Sequence, residues 1–502
     1  MDLACARARF LRLFGGNAPL WVIAVVPVAF VETVHQIATT GVDNDYWWHV
    51  TTGRWMLAHG RIPFNDPFSA THYGQNWYAH EWLAELLFGI VDRIAGYAGN
   101  IIVTAAIVAA GAWCITRAAR YYGANALVGF VLLIGAGFYI RGFLAVRPQV
   151  WGWAIFALLL HELAADDNGH RARLWHIPLI FALWINIHLS ALWGGGVYAL
   201  YVLHRFLLWL LAKREPTLWQ KTRHAFLVGA VSALALCLNP RGPALIWFAR
   251  TYLNPHAERT RYIVEYFPPE FSGDNRLLYS AGIILLLLTI FAMALRLRLW
   301  PGLLALIFGL AARSEIRYVP MFGLVAVLVA GWLVGRFRGR TVSLCAIAVS
   351  GRARVLEVGL LISGTLLSLA YGGSAQFQRV PDAYLGGYPV NAAAWVKANV
   401  PAGTVFNEYG WGGYLIYAFY PQPRVYMDGR EEMYGERYFK RFVADDDAEP
   451  GWQQDLRQAG VTAAIVSPGS AIANAMASDP GWQRAYADDV ADVFVPLHTS
   501  SP

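Results

Sequence analysis

The sequence predicts an all-α polytopic membrane bundle of about eleven transmembrane helices, followed by a C-terminal α/β domain on the outer side. Three observations predict this fold class: 57% of the 502 residues are hydrophobic, only 15% are charged, and long apolar runs recur along most of the chain. Soluble domains typically contain about 25% charged residues, so the deficit favours a bilayer as the solvent. Aromatic residues make up 14% of the chain, which fits membrane–water interfaces.

The predicted spans are apolar runs of about the length that a helix needs to cross the hydrocarbon core. They lie near 18–38, 99–116, 124–140, 148–163, 174–190, 191–212, 224–240, 277–295, 299–312, 318–335 and 355–373. The first is interpreted as an uncleaved helix, because no convincing cleavage site follows it. The run 82–91 is shorter and is bracketed or interrupted by charged residues, which predicts an amphipathic helix at the interface.

The basic residues predict the orientation of these spans. Most Lys and Arg fall in the short connections that an inside N-terminus places in the cytoplasm, and this pattern obeys the positive-inside rule. The short outer turns contain only Arg141, Arg147, Arg313 and Arg317. We therefore expect a multi-pass inner (plasma) membrane protein with its C-terminal domain outside. The clusters of charge lie between apolar runs, so the net charge of +7 does not indicate nucleic-acid binding.

Two domains are expected. Residues 1–373 form the transmembrane domain, with outer loops at 39–98 and 241–276, and residues 374–502 form the outer α/β domain. Short apolar runs predict strands, and intervening stretches near 390–399 and 451–459 predict helices. The expected strands are Thr404–Phe406, Arg424–Met427, Thr462–Val466 and Val490–Val495. The four cysteines are widely separated, which predicts neither a disulfide framework nor a zinc site.

Carboxylates and aromatic rings cluster in the first outer loop. Asp43 and Asp45 stand one residue apart, and a carboxylate at a partly dry interface can act as a general base towards a hydroxyl. The pair could instead bind a divalent cation, Mg²⁺ or Mn²⁺, or have a purely structural role. Aromatic faces suit sugar rings, although an ordinary aromatic belt would use the same residues. The candidate substrate contacts in this loop are Trp47, Trp48, His49, Asp66, His80 and Glu81.

Further polar residues fall at the outer ends of later spans, where ionisable groups usually face a cavity or serve a site. The planar fork of arginine suits phosphate, so Arg147, Arg313 and Arg317 are candidate phosphate ligands. Each arginine could instead snorkel to the interface or pair with Glu315 or Asp43. The remaining candidate substrate contacts are Asn186, His188, Asn407, Glu408, Asp428 and Arg430.

Two loops of the tail follow predicted strands, at 407–414 and 428–430. The carboxyl ends of parallel strands are a common place for binding, so we expect these loops to lie side by side and to face the membrane cavity. There they would contact an acceptor or the Arg313–Arg317 turn. The alternative is that Asp428 and Arg430 merely pair with each other and order a turn.

Several motifs together carry a family resemblance. They are Asp43-x-Asp45-x-Trp47-Trp48-His49, Gly60-x-x-Pro63-x-x-Asp66-Pro67-Phe68-Ser69, His80-Glu81-Trp82, Arg147-Pro148-Gln149, Asn186-x-His188, Asn239-Pro240, Asn407-Glu-Tyr-Gly-Trp411-Gly412-Gly413-Tyr414 and Asp428-Gly429-Arg430. This set resembles bacterial polytopic proteins that are grouped with the GT-C glycosyltransferases. The resemblance covers nearly the whole chain and implies a GT-C-like membrane domain whose essential acid lies in the first outer loop.

The resemblance implies sugar transfer from a lipid-linked donor, a polyprenyl phosphate or diphosphate sugar, to an acceptor glycan, lipid or protein. Asp45 or Asp43 would be the base, and the three arginines would hold the donor phosphate. Two other function classes stay open. A transporter or lipid flippase would show paired repeats and broken helices, and an envelope assembly protein would use the same motifs only to hold the tail.

Overall fold

The computed structural model describes residues 18–124, 126–170, 174–253, 259–269, 284, 287, 299–341, 385–400 and 402–497. Up to residue 341 the α-helices are Ala18–Thr40, Tyr46–His59, Trp82–Tyr121, Ala126–Ile140, Pro148–Asp167, Ile177–Trp184, Ala191–Leu211, Pro216–Ala235, Pro243–Phe248, Arg259–Tyr262, Leu299–Ser314 and Val319–Thr341. In the tail they are Val390–Asn399, Gly412–Phe419, Glu431–Tyr434, Glu436–Asp446, Trp452–Gln458 and Ala471–Ser478. The 3-10 turns are Arg141–Phe143, Ala249–Leu253, Val264–Tyr266, Ile316–Tyr318 and Tyr409–Trp411.

The chain divides into two compact units. The helical unit comprises Met1–Thr39, Ile101–Trp247 and Val264–Gln378. The mixed unit comprises Thr40–Asn100, Phe248–Ile263 and Arg379–Pro502. The first outer loop therefore folds together with the tail, whereas the sequence analysis had grouped that loop with the membrane domain.

Helices occur at each predicted span that the described residues contain. Among the described residues, three helical segments are both long and apolar enough to cross a membrane: Trp82–Tyr121, Ala191–Leu211 and Ile316–Leu333. Shorter apolar helices cover Val128–Gly137 and Trp300–Ser314. The predicted spans 277–295 and 355–373 lie outside the described residues, so the number of eleven stays a prediction.

Two helices differ from the predicted spans. The span expected at 174–190 contains only the helix Ile177–Trp184. Its end is closed by Asn186, whose Nδ2 donates to the carbonyl oxygens of Ala182 at 2.7 Å and Leu238 at 2.8 Å. The helix expected at 224–240 begins earlier, at Pro216, because proline at the first helical position has no N–H to leave unpaired.

The short apolar run 82–91 is indeed helical, and it continues into the next predicted span. Its helix runs from Trp82 to Tyr121 but is broken at Gly96, where φ is 61° and ψ is −159°. Only glycine adopts such a backbone conformation without strain. The break separates an initial helical arm from the longer apolar helix that follows, and the position of this arm at the interface stays a prediction.

The mixed unit contains a five-stranded sheet with strand order β2-β1-β3-β5-β4. Its strands are β1 (Thr404–Asn407), β2 (Arg424–Val425), β3 (Val461–Val466), β4 (Trp482–Ala487) and β5 (Asp492–Pro496). The strands β2, β1 and β3 are parallel, and β5 and β4 add antiparallel pairs. Four strands agree with the prediction. The sequence analysis missed β4, since Trp482–Ala487 is half exposed and has no continuous apolar run.

The first outer loop covers one edge of this sheet. Ser69 forms a parallel bridge with Val425 of β2, and the Ala70 N–H donates to the Val425 carbonyl oxygen at 2.8 Å. Thr71 Oγ1 donates to the Tyr426 carbonyl oxygen, also at 2.8 Å. A strand of only two residues at a sheet edge leaves backbone groups unpaired unless another segment meets them. The loop supplies those partners.

The buried core of the tail lies between the sheet and its helices. Large apolar side chains from strands and helices meet there, and burial of each contributes on the order of 1.5–3 kcal/mol to folding. The core includes Phe406, Tyr426, Phe439, Phe442, Trp452, Leu456 and Ile472. This packing fixes the carboxyl ends of β1 and β2, from which the two predicted loops emerge.

Candidate functional site

The two acids of the first outer loop lie directly before the helix Tyr46–His59. The Asp45 N–H donates to Asp43 Oδ1 at 3.0 Å, and Asp45 Oδ1 accepts a hydrogen bond from the Trp48 indole at 3.1 Å. Asp45 occupies the N-cap position, yet its side chain makes no capping hydrogen bond. Both acids are half-buried. The two carboxylates are thus held in place while part of each remains accessible.

Glycines of the tail loops contact this acidic segment closely. A Cβ atom added at Gly429 would lie 2.4 Å from Asp45 Oδ1, and one added at Gly413 would lie 2.4 Å from the Asn44 carbonyl oxygen. The contact at Gly413 is with backbone, so no side chain fits there, and a side chain at Gly429 would force Asp45 to move. The tail therefore approaches the acids through its backbone. This close approach explains why both motifs contain glycine at these positions.

The two tail loops lie side by side, as predicted. Asn407 Nδ2 donates to the Met427 carbonyl oxygen at 2.9 Å, and a Cβ at Gly412 would lie 2.6 Å from the Asp428 Cα. Within the mixed unit they meet residues 44–48 of the first outer loop.

Arg430 is the centre of a buried ion network. Its Nε and Nη2 donate to the two carboxylate oxygens of Asp428, both at 2.7 Å, and its Nη1 donates to Asp66 Oδ1 at 2.8 Å. All three side chains have an exposed fraction of zero. The guanidinium also lies 4.6 Å from the centre of the Trp77 ring and 5.2 Å from that of Phe68.

The structure places Asp66, Asp428 and Arg430, which were predicted as substrate contacts, in this network. Their charged groups are buried and paired with one another. Asp66 also accepts hydrogen bonds from the N–H and hydroxyl of Ser69, and Tyr434 donates to Asp428 Oδ2 at 2.5 Å. The alternative interpretation, an Asp428–Arg430 pair that orders a turn, agrees with the structure, and Asp66 extends it.

Two further tail residues are engaged within the tail. Asn407 is fully buried, and its Oδ1 accepts the Tyr426 N–H at 3.1 Å. Glu408 Oε1 accepts the Ser467 N–H at 2.6 Å. We therefore revise the predicted substrate contact of Asn407 to a structural one, because no part of its side chain is exposed. Glu408 is half-buried and keeps its predicted role.

The tryptophans of the first outer loop are packed in the mixed unit. Trp47 and Trp48 are 8% and 6% exposed. The Trp47 ring contacts those of Tyr388, Tyr414 and Tyr417 at centroid distances of 4.9–5.7 Å. This burial is inconsistent with an exposed aromatic belt at these positions and with a stacking platform for a sugar. Both residues instead join the outer loop to the tail.

A second group of titratable side chains surrounds His49. Its Nδ1 lies 3.2 Å from Glu85 Oε1 and its Nε2 lies 3.7 Å from Glu81 Oε2. His80 is next to Glu81, and its Nδ1 lies 3.0 Å from the Tyr78 carbonyl oxygen. Burial lowers the pKa of His80 to about 4, so this ring is neutral at pH 7. The sequence analysis missed Glu85, although its spacing of four residues from Glu81 places both on one helix face.

Two of the predicted phosphate ligands are paired with carboxylates within the helical unit. Arg147 forms an ion pair with Glu265, and the arginine's charge, outweighing burial, lowers the pKa of this carboxyl. Arg317 pairs with Glu315 at 2.6 Å and lies 4.2 Å from the centre of the Tyr266 ring. The segment Val264–Tyr266 therefore contacts both arginines. Arg313 is exposed at the end of its helix.

The remaining predicted contacts of the helical unit close helix ends. Asn186 is 7% exposed and uses its amide nitrogen to bind backbone carbonyl oxygens, which favours a structural role. His188 is half-buried, and its Nδ1 accepts the Ser190 N–H at 3.0 Å. Its ring stays a candidate contact.

The helical unit contains an apolar cavity of about 280 Å³. Its walls come from the helices Ala18–Thr40, Trp82–Tyr121, Ala126–Ile140, Pro148–Asp167 and Val319–Thr341. Most of the side chains that line the cavity are aliphatic, but several polar side chains also line it. The polar lining residues are Glu32, Thr33, His35, Gln36 and Arg141. A ligand with a long apolar part and a polar headgroup would match this combination.

Comparison with solved structures identifies proteins of the same fold. The crystal structure of the Archaeoglobus fulgidus oligosaccharyltransferase in the apo form is 12% identical, covers 89% of this chain and 69% of its own, and has a TM-score of 0.57. The same enzyme tethered to an acceptor peptide containing the NVT sequon has a TM-score of 0.58 at 13% identity. ArnT from Cupriavidus metallidurans bound to undecaprenyl phosphate is 16% identical over 96% of this chain and 99% of its own, with a TM-score of 0.50.

These similarities confirm the GT-C-like fold that the sequence motifs predicted, since both neighbours are GT-C glycosyltransferases. No family model matches the sequence, and no curated protein matches it either. At such low identity the likeness concerns the fold alone, so any activity of this chain is argued from its own residues.

Proposed function

We propose that this protein is a membrane glycosyltransferase that moves a sugar from a polyprenyl-phosphate-linked donor to an acceptor at the outer face of the inner membrane. The GT-C-like fold supports a transferase. The observation that carries the donor class is the apolar cavity of the helical unit. The proposal leaves the sugar open between hexose and pentose, and the acceptor open between glycan, lipid and protein.

The cavity suits a polyprenyl phosphate for two reasons. Its volume of about 280 Å³ lies near the lower end of ligand pockets, which span about 300–1,000 Å³, so it could take the first isoprene units while lipid surrounds the rest. Its lining also combines aliphatic walls with the cation of Arg141 and with polar groups of Glu32, His35 and Gln36. Ionisable residues of membrane helices are costly unless they serve such a site.

The transfer step follows from the predicted roles. The acceptor hydroxyl oxygen attacks the anomeric carbon, and Asp45 or Asp43 takes the hydroxyl proton. The bond between the anomeric carbon and the phosphate oxygen breaks, polyprenyl phosphate leaves with the electron pair, and a single displacement inverts the anomeric centre. The alternative role for the acid pair is to hold a Mg²⁺ or Mn²⁺ ion.

The arginines would stabilise the charge of the leaving phosphate. Arg147 and Arg317 are already held by Glu265 and Glu315, so a phosphate must compete with these carboxylates for the same guanidinium groups. Carboxylate and phosphate both accept parallel hydrogen bonds from arginine, so the guanidinium group would keep the same kind of hydrogen bonds after the exchange. Arg313 would also bind the phosphate. It is exposed and would not have to give up an ion pair with any described residue first.

The cavity can be tested by filling it. Gly137 lines the cavity and Gly135 does not, although both belong to the helix Ala126–Ile140 and an added Cβ would meet nothing within 4 Å at either position. We expect Gly137→Leu to weaken binding of polyprenyl phosphate to the full-length protein in nanodiscs by at least about tenfold, a change of roughly 1.4 kcal/mol. Gly135→Leu should bind as the unaltered protein does. Equal binding by the two variants, or no binding by the unaltered protein, would refute the proposal.

A further inference from the structure

Three side chains of the mixed unit converge, and two of them, His49 and Glu81, were predicted from the sequence as substrate contacts. His49, Glu81 and Glu85 each offer one ligand atom within 4.8 Å of the others. They are 2%, 8% and 1% exposed. Buried carboxylates are costly unless a positive charge accompanies them. The group therefore needs a cation or a proton.

The backbone brings these residues together by a close helix crossing. A Cβ added at Gly53 would lie 2.0 Å from the Glu85 carbonyl oxygen, and one added at Gly89 would lie 2.6 Å from the Gly53 carbonyl carbon. The helix Tyr46–His59 and the start of the helix Trp82–Tyr121 thus touch through glycines. His49 lies four residues before Gly53 on its helix, so the crossing places its ring against Glu85.

One oxygen of this group has no hydrogen-bond partner in the part of the chain that the structure describes. Glu85 Oε1 interacts with His49 Nδ1, but Glu85 Oε2 is buried and has no hydrogen-bond partner among the residues that the structure describes. A buried acceptor without a partner costs about 1–3 kcal/mol, and more when it is charged. This oxygen is the atom that a bound cation would satisfy.

The geometry of the ring fits a metal ligand. Two atoms that each lie about 2.1 Å from a tetrahedral cation are roughly 3.4 Å apart. His49 Nδ1 lies 3.2 Å from Glu85 Oε1, so the ring and this carboxylate can bind one ion with little adjustment. The ligand atoms of all three residues lie within 4.8 Å of one another, so Glu81 completes the set.

We propose that His49, Glu81 and Glu85 hold one divalent cation, of which Zn²⁺ and Mn²⁺ best match an imidazole with two carboxylates. This inference is independent of the proposed function and of the pair Asp43 and Asp45. Because the ligands are buried, the ion is structural, and it joins the helix Tyr46–His59 to the helix that begins at Trp82. A closed site of this kind contributes its binding free energy to folding.

The experiment measures metal content and thermal stability rather than transfer. The full-length protein in detergent is stripped with EDTA and then equilibrated with ZnCl₂ or MnCl₂. We expect about one equivalent of metal to be retained after desalting and the unfolding temperature to rise by roughly 5 °C. Glu85→Gln and His49→Gln should each weaken metal binding by at least about tenfold, since each removes one of three ligands.

Two controls distinguish this site from others. Asp445→Asn alters another buried carboxylate, which accepts a hydrogen bond from Tyr426 at 3.1 Å, and should retain the metal. Asp43→Asn combined with Asp45→Asn should also retain it. The proposal is overturned if the unaltered protein binds no stoichiometric Zn²⁺ or Mn²⁺, a result that does not depend on whether any variant folds. It is equally overturned if the metal is lost with the aspartate pair but kept in Glu85→Gln.

Discussion

Arg430 and Asp66 form an ion pair at 2.8 Å, although 364 residues separate them in the chain and neither side chain is exposed. The pair joins the first outer loop to a loop of the tail. Removing one partner from a buried pair leaves an uncompensated charge, whereas replacing both by apolar residues can be neutral. The stability of the mixed unit should therefore respond strongly to either residue alone.

The first prediction concerns this pair. Arg430→Ala should lower the free energy of unfolding of the full-length protein by about 3–5 kcal/mol, because Asp66 and Asp428 would be left as buried anions. Thermal unfolding in detergent measures the change. Arg441→Ala is the matched control: Arg441 also contacts two aspartates, but 42% of its side chain is exposed. Arg441→Ala should lower the free energy of unfolding by no more than about 1 kcal/mol. Equal losses for the two variants would contradict the argument.

The second prediction concerns the acids of the first outer loop. Loss of a general base typically lowers a rate about 10²–10⁴-fold, so one of Asp45→Asn and Asp43→Asn should abolish transfer while the unfolding temperature stays near that of the unaltered protein. Transfer from a polyprenyl-phosphate sugar is the assay. Asp489→Asn, an exposed aspartate of the tail, is the control. Full activity of both acid variants would exclude the proposed base, and parallel loss of activity and stability would indicate a structural role.

A third prediction concerns pH. Burial, with a smaller effect from the charge of Glu408, raises the pKa of Asp446 from an ordinary value of 3.8 to about 7. The folded state then holds this proton more tightly than the unfolded state does. The contribution of Asp446 to the free energy of unfolding is therefore fully present below about pH 4 and is lost as the pH rises towards 7. Asp446→Asn should raise the unfolding temperature at pH 8 and leave it unchanged at pH 4.

The exposed Asp489, which is not one of the charges acting on Asp446, provides the control for this effect. Asp489→Asn should leave the pH profile of thermal unfolding unaltered. An Asp446→Asn profile parallel to that of the unaltered protein would show that Asp446 does not carry the pH dependence.

The fourth prediction tests orientation in the membrane. In a protein whose native cysteines are replaced by serine, Ala477→Cys in the tail should react with an impermeant thiol reagent in intact cells, and Thr217→Cys should not. Both positions are exposed in the structure, so the difference would report the side of the membrane. The distribution of basic residues motivates this expectation. Labelling at 217 with protection at 477 would reverse the predicted topology.

The sequence predicted the parts of the fold that depend on local pattern. Long apolar runs indicated the helices, and short apolar runs indicated β1, β2, β3 and β5, since strands such as β1 and β3 are buried on both faces. The strand β4 was missed because Trp482–Ala487 pairs with β5 at the sheet edge and buries little of its surface. Its strand conformation depends on backbone pairing, which does not require a recognisable pattern of apolar residues.

The candidate site was harder to predict for a related reason. Asp66, Asp428 and Arg430 look like accessible charged residues of loops, and only the long-range contact shows that they neutralise one another. The partner of Arg147, Glu265, stands in a segment with no regular pattern. Glu85 looked like a charge that interrupts an apolar run, because the close glycine crossing with the helix of His49 cannot be seen in one sequence.

The bridge between the first outer loop and β2 also sets an order of events during synthesis. Thr71 donates to the Tyr426 carbonyl oxygen across 355 residues of chain. A ribosome adds about 5–20 residues per second, so the loop emerges roughly 20–70 s before the strand that it covers has been made. During that interval Phe68 and Trp77, both buried in the finished protein, have no tail to pack against. The first outer loop can thus complete its fold only after the tail has been synthesised, and a nascent chain that stops before the tail leaves this apolar surface exposed to aggregation.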